Sequence, residues 1–113
     1  GKDITIFGSG EQTRDFVYVG DVADAVFRSV SSKTVGEFNI GTSRETSIVS
    51  LAKALKEQAC PTAQILFAPA KSGEQMRSVI DNSLAGKALG WKPTVHMDEG
   101  LLKTLEWYRS GSR

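Results

Sequence analysis

Ile4-Thr-Ile-Phe-Gly-Ser-Gly-Glu-Gln-Thr-Arg-Asp-Phe-Val-Tyr-Val-Gly-Asp-Val-Ala-Asp-Ala-Val26 is the stretch whose reading decides the fold. Ile4 to Phe7 is a short run of β-branched and aromatic residues, the composition of a strand. Gly8-Ser9-Gly10 interrupts it, as a turn or a close backbone approach does. A second β-prone run follows from Asp15 to Val19, and Asp21 is placed to cap a helix running to about Ser31. Val22, Val26 and Val30 recur in that helix at spacings of four. Arg14 stands at the lip of the second strand, and its guanidinium is a rigid fork of donors suited to a phosphate or a carboxylate.

The two glycines do not make a dinucleotide-binding loop. That fingerprint requires a third glycine three residues after the second, where a helix begins. Thr13 stands there and a strand follows. An acidic residue is required about 20 positions on, where this chain has Arg28 and Ser29.

Working outward, Glu37 to Ile40 reads as a short strand between Gly36 and Gly41, of the kind buried in a parallel sheet. Thr46 or Ser47 caps a helix whose inner face is Ile48, Leu51, Ala52, Leu55 and Ala59, and Pro61 stops it. Gln64 to Ala68 and Arg77 to Ile80 are further β-prone runs, separated by loop chemistry from Pro69 to Glu74. Asn82 or Ser83 opens a short helix through Leu89, and Gly90 takes the position past its C-terminus. Asp98 is placed to cap a last helix with Leu101, Leu102, Leu105 and Tyr108 on one face. Met97 there would staple onto Leu102. Trp91 and Trp107 both read as core. Strands alternating with helices make the class α/β.

Along its whole length the chain resembles the nucleotide-sugar epimerases and dehydratases of the extended short-chain dehydrogenase/reductase family. The resemblance rests on Gly8-x-Gly10-x-Gln-Thr-Arg-Asp-Phe-Val-x-Val19 with Asp21-Val-Ala, on Gly36-Glu-Phe-Asn-Ile-Gly-Thr42 and on the helix Ser47 to Leu55. Gly73-Glu74 through Asp81, Leu89-Gly-Trp-Lys-Pro93 and Glu99-Gly-Leu to Trp107 complete it in order. It implies that residues 1–113 form one domain, the C-terminal, nucleotide-sugar-binding part of that fold, without the N-terminal Rossmann half. A start at Gly1 rather than Met agrees with that expectation.

The resemblance also implies roles. Arg14 matches the arginine that pairs with the diphosphate, and Thr5 and Phe7 lie on the strand beside the nucleobase. Lys71-Ser-Gly-Glu74 resembles an Arg-Pro-Gly-Asp segment. Glu74 keeps the acid that accepts from ribose hydroxyls, whereas Lys71 replaces a bidentate fork with a point charge. Asp15, next to Arg14, reads as a structural hydrogen bonder, and Asn39 as a group satisfying backbone near a buried strand end. The family's catalytic Tyr-x-x-x-Lys pair is absent, because Tyr18 is followed at that spacing by Val22 and Tyr108 by Ser112. The expectation is a chain that binds a UDP-sugar, holds no cofactor of its own and turns nothing over alone, with NAD belonging to the full-length enzyme. Glu37 to Ile40 would lean on a sheet from the missing half, which also motivates a self-associating module, a homodimer, as a second reading.

Composition narrows the remaining classes. Across 113 residues, 40% are hydrophobic and 24% charged, ordinary for a globular domain. Fourteen basic residues against thirteen acidic ones leave +1, and no basic run forms a stripe, so neither nucleic acid nor an anionic membrane is an expected partner. The single Cys60 precludes an internal disulfide and fits a cytoplasmic setting. It reads as a small filler, and the single His96 as a surface turn residue rather than a metal ligand.

Overall fold

A computed structural model describes residues 2–111. Its elements are β1 (Ile4–Phe7), β2 (Thr13–Arg14), α1 (Val19–Ser31), β3 (Thr46–Ser47), α2 (Ile48–Ala59), β4 (Ile65–Ala68), α3 (Ser83–Leu89) and α4 (Met97–Arg109). The architecture is α/β, as expected. β1 pairs in parallel with β4, Ile4 opposite Ile65 and Phe7 opposite Ala68, and β2 pairs antiparallel with β3, Arg14 opposite Thr46.

The period of two along β1 sorts its faces. Ile6 is buried, whereas Thr5 and Phe7 lie on the exposed side. Gly10 lets α2 come close, since a Cβ there would sit 3.0 Å from Val49 Cβ and 3.2 Å from Ile6 Cγ2. Ser47 caps α2, its hydroxyl accepting from Ser50 N, and Ala52 is the buried residue of that helix. Gly90 ends α3 in the left-handed conformation at φ 61°. A second core unites Ala25, Ala85 and Trp91, with Phe38, Ile40 and Leu89 packed on it. Trp91 is 2% exposed and donates its indole N–H to Asp21 O at 2.9 Å.

Several expectations are corrected. The strand expected at Asp15–Val19 is only Thr13–Arg14, and α1 already begins at Val19. Asp15 leaves the ladder because its carboxylate is taken by the chain at Thr42, Ser43 and Ile80. Asp21 does not cap α1. Tyr18 occupies the N-cap, and Asp21 turns its carboxylate onto Thr94 and Val95. Glu37–Ile40 and Arg77–Ile80 form no strand among the described residues, because neither finds a ladder partner; Phe38 and Ile40 pack on the Trp91 core instead, and Val79 is 48% exposed. Asn39 is exposed rather than closing a buried strand end. His96, not Asp98, is the N-cap of α4, with Asp98 and Glu99 in its first turn. Ala59, at the end of α2, is exposed rather than part of its inner face. Trp107 is 49% exposed, edge-on to Tyr108 at 5.0 Å, and Leu102 and Tyr108 are also exposed. No helix is long and apolar enough to cross a membrane among the described residues.

Candidate functional site

The loop after β4 is sewn onto the segment between β1 and β2. Gly8, at φ 78°, continues the parallel ladder by donating to Ala68 O at 2.9 Å, and a Cβ on it would touch Ala70 Cβ at 3.4 Å. Thr13 N donates to Met76 O at 2.8 Å. These backbone ties bring Phe7, Arg14, Lys71 and Glu74 to one place, although Arg14 and Glu74 are 60 residues apart in sequence.

Arg14 is anchored by one nitrogen and held loosely by another. Nη1 donates to Thr13 O at 2.7 Å and Gln75 O at 2.8 Å, whereas Nη2 meets Glu74 Oε1 at 3.5 Å. Both side chains of that ion pair remain about a third exposed. The long contact is the weak one, and an anion with better geometry can replace the carboxylate there. Lys71 Nζ stands 4.5 Å from the centroid of the Phe7 ring, a cation–π contact that joins strand to loop. Thr5 is exposed on the same face of β1, about 7 Å along the strand from Phe7 at the usual rise.

Asp15, adjacent to Arg14 in sequence, ties down the chain at Thr42, Ser43 and Ile80. Its Oδ1 accepts from Thr42 N at 2.8 Å and Thr42 Oγ1 at 2.5 Å, and its Oδ2 from Ser43 N at 2.9 Å and Ile80 N at 3.3 Å. Ser43 sits in the left-handed region at φ 58°, a conformation these bonds stabilise. The structural reading of Asp15 therefore agrees with its position.

Three features are not evident from the motif. Gln12 is 4% exposed and lies between Phe7 and Glu74. Glu45 accepts from Arg77 at 2.6 and 2.9 Å and from Thr13 Oγ1 at 2.6 Å. Those bonds hold the Glu45 carboxyl at about 2. A cleft of about 340 Å³ opens beyond β3, with Phe16, Thr42, Arg44, His96 and Asp98 in its wall. Contacts across a chain of this length carry no periodic signal, so only the resemblance could have pointed to them.

Asp21 and Cys60 are also perturbed. Burial pushes the Asp21 carboxyl up, but bonds from Thr94 and Val95 and the Lys103 charge outweigh it and leave it below the ordinary value. A contact with Thr62 at 3.3 Å draws the half-buried Cys60 thiol down.

The Gly8-Ser9-Gly10 turn is not a dinucleotide cradle. Gly10 is spent on close packing against Ile6 and Val49, and the chain after it enters β2 rather than a helix whose N-terminus could meet a pyrophosphate. Tyr18 packs on Gly100 and lies 5.5 Å from Lys103, the ring facing the ammonium rather than the phenol pairing with it at a Tyr-x-x-x-Lys spacing.

Comparison with known proteins shows what the chain is similar to. UDP-glucose 4-epimerase of Mycolicibacterium smegmatis is 40% identical over all of this chain, which covers 36% of that protein. The dTDP-glucose 4,6-dehydratase 1 of Escherichia coli is 34% identical over all of this chain, which covers 34% of it. Among solved structures, the UDP-glucose 4-epimerase of Thermotoga maritima with UDP-glucose is similar at a TM-score of 0.91 and 37% identity, over 98% of this chain and 36% of that one. UDP-glucuronic acid 4-epimerase of Bacillus cereus, in complex with UDP-glucuronic acid and NAD, gives 0.85 and 31% over 96% and 35%. The chain thus spans about a third of the length of these relatives. Residues 1–104 match the model of the GDP-mannose 4,6 dehydratase family, and the chain belongs to that family, within the extended short-chain dehydrogenases/reductases.

Proposed function

We propose that this chain is the C-terminal, nucleotide-sugar-binding portion of an NAD-dependent epimerase or dehydratase, with no turnover of its own. The observation that supports this most is the meeting of Phe7, Arg14, Lys71 and Glu74 on one surface. Arg14 Nη2 and Lys71 supply positive charge for a diphosphate, Glu74 accepts from sugar hydroxyls, and Thr5 and Phe7 offer an edge and a ring face to the base. Binding energy from the nucleotide, remote from the reacting carbon, would orient the sugar toward groups carried elsewhere in a longer protein. NAD would supply the hydride chemistry there.

Calorimetric titration with UDP tests the reading. Arg14→Ala is expected to weaken binding about 10- to 100-fold, the loss of one or two charge-assisted hydrogen bonds. A chain with no measurable affinity for UDP, or an Arg14→Ala variant that binds as well, refutes it. Steady epimerisation of UDP-glucose by this chain with NAD refutes the absence of turnover.

One observation favours a second reading, self-association. Val19, Val26, Phe27 and Val30 form an apolar stripe on α1 that is 58–81% exposed, beside a groove of about 410 Å³ lined by Val22, Val35, Phe38 and Ile40. Such a surface is usually covered. Sedimentation of a compact monomer at tens of micromolar counts against it.

A further inference from the structure

Between the two halves of the binding surface lies a buried carboxamide. Gln12 Nε2 donates to Phe7 O at 2.8 Å and to Glu74 Oε2 at 3.3 Å. Both partners can only accept, which fixes the orientation of the amide with its NH2 toward them. Its main chain is fixed as well, because Ile48 N, at the start of α2, donates to Gln12 O at 3.0 Å. A buried NH2 group is costly unless both hydrogens are used, and here each has one acceptor.

The loop of residues 69–76 is tied firmly at its far end, where Gln75 O and Met76 O accept from Arg14 and Thr13. Among the described residues, the Glu74 carboxylate meets two side chains, Arg14 at 3.5 Å and Gln12 at 3.3 Å, while its main-chain N–H donates within the loop to Lys71 O at 3.4 Å. A diphosphate that takes Arg14 Nη2 removes the first of these. Gln12 is then the side chain that keeps the Glu74 carboxylate at the site and in register with the strand end bearing Phe7.

We infer that Gln12 is a positioning residue for nucleotide binding, a neutral two-donor tie that fixes Glu74 relative to Phe7 both before and after Arg14 is engaged. The inference rests on the nucleotide-binding reading of the surface, but the tie itself can be tested without ligand. Limited trypsin digestion after Lys71 reports the looseness of the loop, and cleavage after Lys53, within α2, reports general opening. Gln12→Met, which keeps the volume and removes both donors, is expected to speed cleavage after Lys71 about fivefold, as loss of one hydrogen bond implies, with Lys53 unchanged. Glu74→Ala should do the same from the loop side, leaving the core intact. Glu74→Gln, whose carbonyl still accepts, should leave cleavage near the wild-type rate.

In the UDP titration, Gln12→Met is expected to weaken binding about fivefold in the wild-type background and to cost nothing more in Glu74→Ala. Unchanged cleavage after Lys71 in both Gln12→Met and Glu74→Ala overturns the tie. Additive losses of affinity in the double variant overturn the positioning role. A wild-type chain that ignores UDP yet shows the expected cleavage pattern overturns the nucleotide reading and leaves the Gln12–Glu74 tie standing.

Discussion

Removing the Asp15 carboxylate should loosen three segments at once, and the size of the effect follows from its bonds. Asp15→Ala strips the acceptor from the backbone N–H groups of Thr42, Ser43 and Ile80 and from the Thr42 hydroxyl. Thr42 and Ile80 are half-buried and Ser43 is exposed, so water can reach part of the set. At about 1 kcal/mol for each of the three backbone bonds, the expected loss is about 3 kcal/mol. With an unfolding entropy of roughly 2.1 cal/mol/K per residue, a chain of this length should melt about 13 °C lower. Thermal and urea unfolding followed by circular dichroism measure both quantities. Asp15→Asn retains one carbonyl acceptor but turns an NH2 toward backbone donors, so it should fall between wild type and alanine. Because Arg14 is the next residue, UDP affinity should fall in both variants even at temperatures where they remain folded. An Asp15→Ala chain within about 0.5 kcal/mol of wild type would refute the claim that this carboxylate organises the site.

Three further outcomes follow from the same contacts. Asp21, held below its ordinary value of 3.8, contributes stability that is fully present above that pH and lost as pH falls through the lowered value; in Asp21→Asn the slope of stability against pH below about 4 should flatten. The Glu45 carboxyl, held at about 2 first by Arg77 and then by Thr13, should titrate nearer its ordinary 4.5 in Arg77→Ala, which carbon-detected NMR of the carboxyl reads directly. Gly41→Ala would place a Cβ 2.8 Å from Ile80 Cβ and 2.9 Å from Asp15 Oδ2, so it should cost about 1–3 kcal/mol by overpacking and lower UDP affinity with it, as equilibrium unfolding and titration will show.

Local pattern carried β1, α2, β4 and α3 into the sequence nearly whole. Each is decided by neighbours within a few residues: β-branched alternation at Ile4 to Phe7, a serine cap and then Pro61 around α2, Gly90 after α3. The family resemblance implied one site for Arg14, Lys71 and Glu74; in the fold Arg14 meets Glu74 and Lys71 meets Phe7. What tertiary structure alone decided is where polar side chains spend their bonds and which apolar runs find a strand partner. Asp21 sits where a cap would serve, yet it binds a segment 73 residues away because Trp91 and Thr94 are packed beside it. Glu37–Ile40 and Arg77–Ile80 have strand composition but pair with no strand among the described residues, and a ladder is a property of two segments, not one. The role of Gln12, though the residue stands in the motif, was not legible for the same reason. Its role is fixed by Phe7 O and Glu74, brought against it from β1 and from the loop after β4, and residue spacing does not encode such a meeting.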